Sequence, residues 1–86
     1  MEYRFDKVWI DIFISKDGYK FAIEVNGPGK PINHKKNKFL WINGWTVISV
    51  PSKYIDLAPA LIAKKVLDKA DRLIQNGMAP SSVSIP

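Results

Sequence analysis

Hydrophobic and polar residues alternate along the first part of the chain. Between residues 8 and 14, the even positions are β-branched and share one face: Val8, Ile10, Ile12 and Ile14. The odd positions form the other face: Trp9, Asp11 and Phe13. Residues 19–25 alternate in the same way, and Asp17-Gly18 lies within the turn at 15–18. A period of two predicts strands, and Asp-Gly predicts a tight turn, so we expect a β-hairpin over residues 8–25.

The pattern then changes to helix, strand and helix. Asn33 is a good N-cap and Asn43-Gly44 a good stop, so a helix is predicted over 34–42. Residues 45–50 are dense in β-forming side chains and predict a third strand, followed by a connector at 52–58. A last helix is predicted over 59–75, because Pro59 suits a first turn and a stripe of apolar residues recurs at helical spacing.

These elements predict a small α/β fold. A hairpin followed by a helix and a third strand implies a mixed sheet in which the third strand is parallel to its neighbour. The C-terminal helix is expected to cover that sheet. We therefore predict one domain over residues 3–77 and a disordered tail over 78–86, which is small, polar and proline-bearing.

Strand parity places two carboxylates together. Across a four-residue turn, Trp9 faces Glu24 and Asp11 is its diagonal neighbour, whereas across a two-residue turn Asp11 faces Glu24 directly. Both registers leave the Asp11 and Glu24 side chains on one face, with Cβ atoms about 5–8 Å apart. Two carboxylates at that distance repel unless a cation lies between them or one binds a proton. A metal or proton site is therefore a candidate here, and two exposed acids on an uncovered face are the alternative.

The chain is basic, with a net charge of +5 and no cysteine among its 86 residues. That charge favours a polyanionic partner, nucleic acid first. Basic side chains cluster on and beside the helix at 34–42, and the candidate nucleic-acid contacts are Lys30, His34, Lys35, Lys38 and, further along, Lys53. No apolar run reaches the roughly 20 residues that span a bilayer. No targeting peptide is visible, and we expect no membrane partner. The compartment stays unknown, with an intracellular one, cytoplasmic or organellar, as the expectation.

Lys36 is the lysine expected near the acids. It lies one helical turn before Leu40, a predicted core anchor, and therefore on the same helix face. The helix begins shortly after the strand that carries Glu24 ends, so Lys36 can reach the carboxylates. A solvated helix face is the ordinary alternative for each lysine taken singly.

The order hairpin, helix, strand, helix, with Asp11 in the first strand and Glu24 in the second, resembles the core of the PD-(D/E)XK nuclease superfamily, which includes the very-short-patch repair endonucleases. That resemblance implies a restriction-endonuclease-like core in which Asp11 and Glu24 hold Mg²⁺ or Mn²⁺ and a lysine polarises the attacking water. Lys36 matches a lysine that relatives place on the following helix. Asn26 stands where nuclease relatives carry a lysine or a second acid.

A closer resemblance rests on Ile23-Glu-Val-Asn-Gly-Pro28, Lys36-Asn-Lys-Phe-Leu40 and Gly44-Trp-Thr-Val-Ile-Ser-Val-Pro51. In this order and spacing they resemble the RAP domain, an RNA-binding domain abundant in apicomplexans and found in organellar RNA-processing proteins. The similarity covers about residues 5 to 57. It implies RNA rather than DNA as partner. The helix that often precedes this core in the family has no counterpart in this sequence. Three interpretations therefore stay open: the chain is a fragment, it is a minimal version of the domain, or it forms part of a homodimer.

Four functions follow as hypotheses. The first is an RNA-binding domain that also cleaves RNA with a divalent metal on Asp11 and Glu24. The second is a Mg²⁺-dependent DNA endonuclease of the very-short-patch type. The third is a catalytically inactive module that binds through its lysines and through Trp9, Trp41 or Trp45. The fourth, of a different class, is a protein-interaction module whose acid pair is incidental.

Overall fold

The computed structural model describes residues 3–6, 8–29 and 31–85, and within these ranges the chain forms six strands and three helices. In chain order they are β1 (Tyr3–Phe5), β2 (Val8–Ile10), β3 (Ile12–Lys16), β4 (Tyr19–Asn26), α1 (His34–Ile42), β5 (Trp45–Pro51), α2 (Ser52–Leu57), α3 (Pro59–Gln75) and β6 (Ser82–Ser84). None of these helices has the length and apolar character that crossing a bilayer requires.

The main sheet has four strands in the order β3-β4-β5-β6. Strand β3 is antiparallel to β4, while β5 is parallel to β4 and β6 is parallel to β5. Asp17 and Gly18 both have positive φ angles, +51° and +81°, and join Lys16 to its partner Tyr19. Two central residues with positive φ are the mark of the tight hairpin turn that Asp-Gly favours. The predicted hairpin and the mixed α/β sheet with a parallel third strand are therefore confirmed.

Helix α1 covers one face of the sheet. The Asn33 side chain accepts a hydrogen bond from the Lys36 N–H at 3.1 Å, and Gly44 follows the helix with a φ of +89°. Both ends of α1 therefore form where the capping residues predicted them. A buried cluster lies between α1, the sheet and β2, and consists of Ile10, Ala22, Leu40, Trp45 and Val47.

Helix α3 covers the opposite face. Alternate residues of β4 and β5 point to this side and pack against the apolar stripe of α3, in a cluster made of Phe21, Ile23, Ile48, Val50, Ile62, Val66, Ala70, Leu73 and Ile85. Lys16, at the end of β3, forms a hydrogen-bonded ion pair with Asp71 of α3, which ties the hairpin to this helix. The C-terminal helix is a covering helix, as the stripe predicted.

The first predicted strand is not continuous, because the chain bends at Asp11. Strand β2 ends at Ile10 and leaves the main sheet to pair with β1, while β3 begins at Ile12. The prediction that Ile10 and Ile14 share a face is wrong: Ile10 packs on the α1 side and Ile14 on the α3 side. Because the bend interrupts the strand, even-numbered residues before and after Asp11 point to opposite faces. Counting alternate residues across the bend therefore assigns some of them to the wrong face.

Two further predictions differ from the structure. The connector at 52–58 is replaced over most of its length by helix α2, which begins directly after β5. The tail predicted to be disordered contributes strand β6, and Ile85 behind it is buried in the α3-side cluster. A three-residue strand of two serines and a valine carries little signal of its own, and its pairing with β5 supplies the missing stabilisation.

Candidate functional site

Asp11 and Glu24 lie side by side at the carboxyl end of β4. Ile12 is paired with Ile23, so Glu24 stands one step beyond the last pair of the hairpin, at the bend. The Asp11 N–H donates to Glu24 Oε2 at 3.1 Å, and the Val25 N–H donates to Asp11 Oδ2 at 2.9 Å. Each carboxylate therefore accepts a hydrogen bond from the backbone of the other strand. These two bonds replace the ladder bonds that a continuous strand would make at this position.

Lys36 of α1 completes the cluster. Its Nζ donates to Glu24 Oε1 at 2.5 Å. The Lys36 and Glu24 side chains are 16% and 7% exposed, so water reaches the pair poorly. Leu40, one turn further along α1, is fully buried and holds this helix face against the sheet. The i, i+4 spacing of Lys36 and Leu40 thus directs the ammonium towards the strand that carries Glu24.

The ion pair compensates for burial. Removing a carboxylate from water is costly, and a buried one is tolerated when a cation and hydrogen-bond donors surround it. Glu24 has both, since Lys36 contacts one of its oxygens and the Asp11 N–H the other. The site therefore holds two carboxylates and one ammonium, and the negative charge of Glu24 is stabilised where the strand ends.

A cleft of about 500 Å³ opens beside Glu24 and Lys36, between the end of β4 and the start of α1. Its lining includes polar and basic side chains: Asn26, Asn33, His34, Lys35 and Asn37. His34 and Lys35 are exposed, whereas Glu24 is buried at the wall. The cleft therefore has Glu24 and Lys36 at its wall and basic side chains at its rim.

The structure brings together only part of the predicted set. Lys38 is exposed on α1 but does not line the cleft. Lys53 lies on α2, with its Nζ 5.3 Å from the centroid of the Tyr54 ring, and is also absent from the cleft lining. Lys30 lies outside the described residues. Trp45 is 1% exposed, so its ring cannot present a face to a base.

Sequence reasoning missed two polar residues near the acids. Ser49 stands opposite Glu24 in the parallel ladder and is 4% exposed. It lines a second cleft of about 300 Å³, which Asn26 also borders. Asn37 of α1 is 5% exposed and donates from Nδ2 to Ser82 Oγ at 3.4 Å. Ser49 did carry a signal, because it is a polar residue in an otherwise apolar strand core and shares its parity with Trp45 and Val47.

The donor set suits a hard divalent cation that keeps much of its water. Among the described residues no group of three or more His, Cys, Asp or Glu side chains converges. Mg²⁺, however, is usually bound by one or two carboxylates together with water and substrate phosphate. Both Glu24 oxygens already accept one hydrogen bond, and each carboxylate oxygen has a second lone pair. If Mg²⁺ or Mn²⁺ binds here, Asp11 and Glu24 are the carboxylates that would hold it, with water completing its coordination.

Comparison of the chain with protein-family models, with curated proteins and with solved structures finds no match. The resemblance to the RAP domain and to the PD-(D/E)XK nucleases therefore stays a prediction that rests on the motifs quoted above.

Proposed function

We propose that this domain has a restriction-endonuclease-like core that binds nucleic acid, RNA in preference to DNA, at the cleft between β4 and α1. The observation that carries the proposal is that Glu24 and Lys36 line a cleft with a basic rim, while Asp11 lies beside Glu24 without itself lining the cleft. RNA is placed before DNA because of the resemblance of residues 5 to 57 to the RAP domain. His34 and Lys35 would contact the phosphate backbone from the rim.

We further propose that bound RNA is cleaved with the help of Mg²⁺ or Mn²⁺. Asp11 and Glu24 would hold the ion, which when bound supplies charge stabilisation for the phosphate undergoing attack. Lys36 fixes the orientation of the Glu24 side chain through the contact at Oε1. The backbone bonds between Asp11, Glu24 and Val25 hold the two carboxylates in one relative position, which is what metal binding requires.

A second candidate, binding without cleavage, is favoured by one specific observation. Both oxygens of Glu24 are already in contact with donors of the protein, the Lys36 ammonium and the Asp11 N–H. In this second candidate, Asp11 and Glu24 stabilise the bend and hold α1 against the sheet, and only the basic side chains at the rim of the cleft contact the ligand. The two candidates share the cleft and differ in whether a metal ion is used.

One experiment separates them. The purified protein is incubated with labelled RNA, single-stranded DNA and duplex DNA, each with Mg²⁺, Mn²⁺ or EDTA. Metal-dependent cleavage confined to RNA supports the first candidate, cleavage of duplex DNA points to the very-short-patch type, and binding without cleavage supports the second candidate. If no polyanion binds in a salt-sensitive way, the nucleic-acid proposal is wrong and a protein-interaction module takes its place.

Variants give the metal site its own test. Glu24→Gln keeps the acceptor for the Asp11 N–H, and Asp11→Asn keeps the acceptor for the Val25 N–H, so both preserve the local hydrogen bonds better than alanine does. Each should lower cleavage by about 100-fold or more while leaving RNA affinity within about twofold of the parent. Asp56→Asn, at an exposed acid on α2, is the matched control and should cleave normally. Normal cleavage by Glu24→Gln would rule out the metal site.

The binding rim is tested by salt dependence. Lys35→Ala should lower the slope of log affinity against log salt by about 1, because one phosphate contact is lost. Lys64→Ala, an exposed lysine on α3, carries the same charge change away from the cleft and should leave the slope unaltered. Equal slopes for both variants would mean that the rim at α1 is not the contact surface.

A further inference from the structure

The ribbon formed by β1 and β2 has two unlike faces. Phe5 and Val8 point towards the α1-side cluster and pack against it, and Ile10 is fully buried there. Arg4 and Trp9 are direct partners across the ribbon and lie on the other face. Because successive residues of a strand point to opposite sides, the inward packing of one set leaves Arg4 and Trp9 facing outward.

Trp9 presents a large aromatic surface to solvent. It is 54% exposed, whereas Trp41 is 38% exposed and Trp45 is buried. The Arg4 guanidinium carbon lies 5.8 Å from the centroid of the Trp9 ring. Arg4 Nε also donates to the Asp6 carbonyl at 3.0 Å, so the guanidinium is held above the indole by the turn of the ribbon. An aromatic ring and a cation are thus set beside each other at the surface.

This surface lies close to the candidate site. Trp9 is separated from Asp11 by one residue, so their Cα atoms are at most about 7 Å apart. The Asp11 side chain is held against β4 by the Val25 N–H, while Trp9 stands on the outer face of the ribbon. A chain molecule bound at the acid pair would therefore reach the Trp9 ring within a short distance.

We propose that Trp9 and Arg4 form a stacking platform for an unpaired nucleobase of a single-stranded nucleic acid that enters the cleft. This rests on the proposed function and narrows it to single strands. A nucleotide suits both parts of the surface, since its base offers a flat ring to the indole and its phosphate offers negative charge to the guanidinium. A continuous duplex does not suit it, because its bases are stacked on one another and their faces are hidden.

The direct test uses fluorescently labelled oligo(U) and a duplex RNA of the same length, with binding followed by anisotropy. Trp9→Ala should weaken oligo(U) binding by about tenfold, in line with the loss of one stacked base, and should change duplex binding less than twofold. Trp9→Phe keeps a smaller ring and should fall between the parent and Trp9→Ala. Leu57→Ala is the matched control, because Leu57 is 79% exposed on α2, and it should bind as the parent does.

A spectroscopic test does not depend on the alanine variant folding well. In Trp41→Phe, Trp9 is the exposed indole and Trp45 the buried one, so oligo(U) should quench part of the emission. In the double variant Trp9→Phe with Trp41→Phe, saturating oligo(U) should leave the emission unchanged. Quenching that persists in the double variant would overturn the platform.

The outcomes separate the platform from the cleft. If Lys35→Ala lowers the salt slope while Trp9→Ala and Trp9→Phe bind oligo(U) like the parent, the platform is wrong and the proposed function stands. If the Trp9 variants lose oligo(U) binding while Lys35→Ala does not change the slope, stacking at Trp9 stands, but the strand does not enter the cleft and the proposed binding site is wrong. A parent protein that binds the duplex but not oligo(U) refutes the platform alone, and one that binds neither refutes both.

Discussion

Replacing Lys36 with methionine tests whether the ion pair at the site is a buried one. Methionine keeps an unbranched side chain and removes the ammonium that contacts Glu24 Oε1. With side-chain exposures of 16% for Lys36 and 7% for Glu24, solvent cannot readily replace that contact. Removing one partner of a buried pair costs about 3–5 kcal/mol, because an uncompensated charge remains. The Asp11 N–H still donates to Glu24, so we expect the lower end, about 3 kcal/mol.

That loss is large for a domain of this size. Stability of about 0.05–0.15 kcal/mol per residue gives roughly 4–13 kcal/mol for 86 residues. At about 4–8 °C per kcal/mol for a small domain, the midpoint of thermal unfolding should fall by roughly 12–24 °C. Lys36→Met should therefore remain folded at low temperature and unfold well below the parent.

Urea unfolding followed by tryptophan fluorescence and circular dichroism measures the free energy of unfolding. Lys38→Met is the control, because it removes an exposed lysine from the same helix and should change stability by less than about 0.5 kcal/mol. Combining Lys36→Met with Glu24→Gln removes both charges, so the double variant should recover at least about 1 kcal/mol relative to Lys36→Met. The reasoning is refuted if Lys36→Met is as stable as Lys38→Met, or if the second substitution brings no recovery.

Two further predictions concern the ends of the sheet. Ile85→Ala should lower the free energy of unfolding by about 2–5 kcal/mol, because Ile85 is 5% exposed. Ile42→Ala is the control and should lower it little, because Ile42 is 65% exposed. Equal urea midpoints for the two variants would mean that the C-terminal segment does not pack against the α3-side cluster. The hydrogen bond to Asp71 raises the pKa of Lys16 above its ordinary value of 10.5. The stabilisation that this ion pair gives the fold is therefore fully present below pH 10.5 and is lost as the pH rises through the raised pKa. Thermal midpoints of the parent and Asp71→Asn should therefore differ slightly at neutral pH and converge in strong alkali, and a constant difference would contradict this.

Local signals predicted the elements whose ends are set by a few neighbouring residues. Asp17-Gly18 supplies two positive φ angles for the turn, and the Asn33 side chain caps α1. Pro59 opens α3, and Gly77, with a φ of +61°, follows its end. In each case the residue that produces the feature lies within a turn of it, so its chemistry can be read from the sequence without the fold.

The errors occur where distant residues decide the local structure. The bend at Asp11 depends on hydrogen bonds to Glu24 and Val25, which are 13 and 14 positions away. Strand β6 depends on β5, with Val83 paired to Ile48 across the long excursion through α2 and α3. Neither the hydrogen bonds at the bend nor the pairing of β6 with β5 leaves a trace in the alternation of hydrophobic and polar residues. A parity count that continues through Asp11 therefore misses the end of the strand.

Strand parity nevertheless predicts that Asp11 and Glu24 lie together, although it does not predict the bend between them. Parity placed Asp11 and Glu24 together because only one step separates the bend from the last regular pair of the hairpin. The same two carboxylates produce the bend, since each accepts a backbone hydrogen bond from the opposite strand. These bonds give the two carboxylates a structural role, and a metal ion bound as proposed would have to share the same atoms. Loss of cleavage in an alanine variant would therefore report on both roles at once. Amide variants keep the acceptor while removing the charge. Asp11→Asn leaves the pair of Lys36 and Glu24 intact and therefore separates the chemistry of the site from the folding of the strand, whereas Glu24→Gln removes one partner of that pair and is assayed at a temperature at which it is folded.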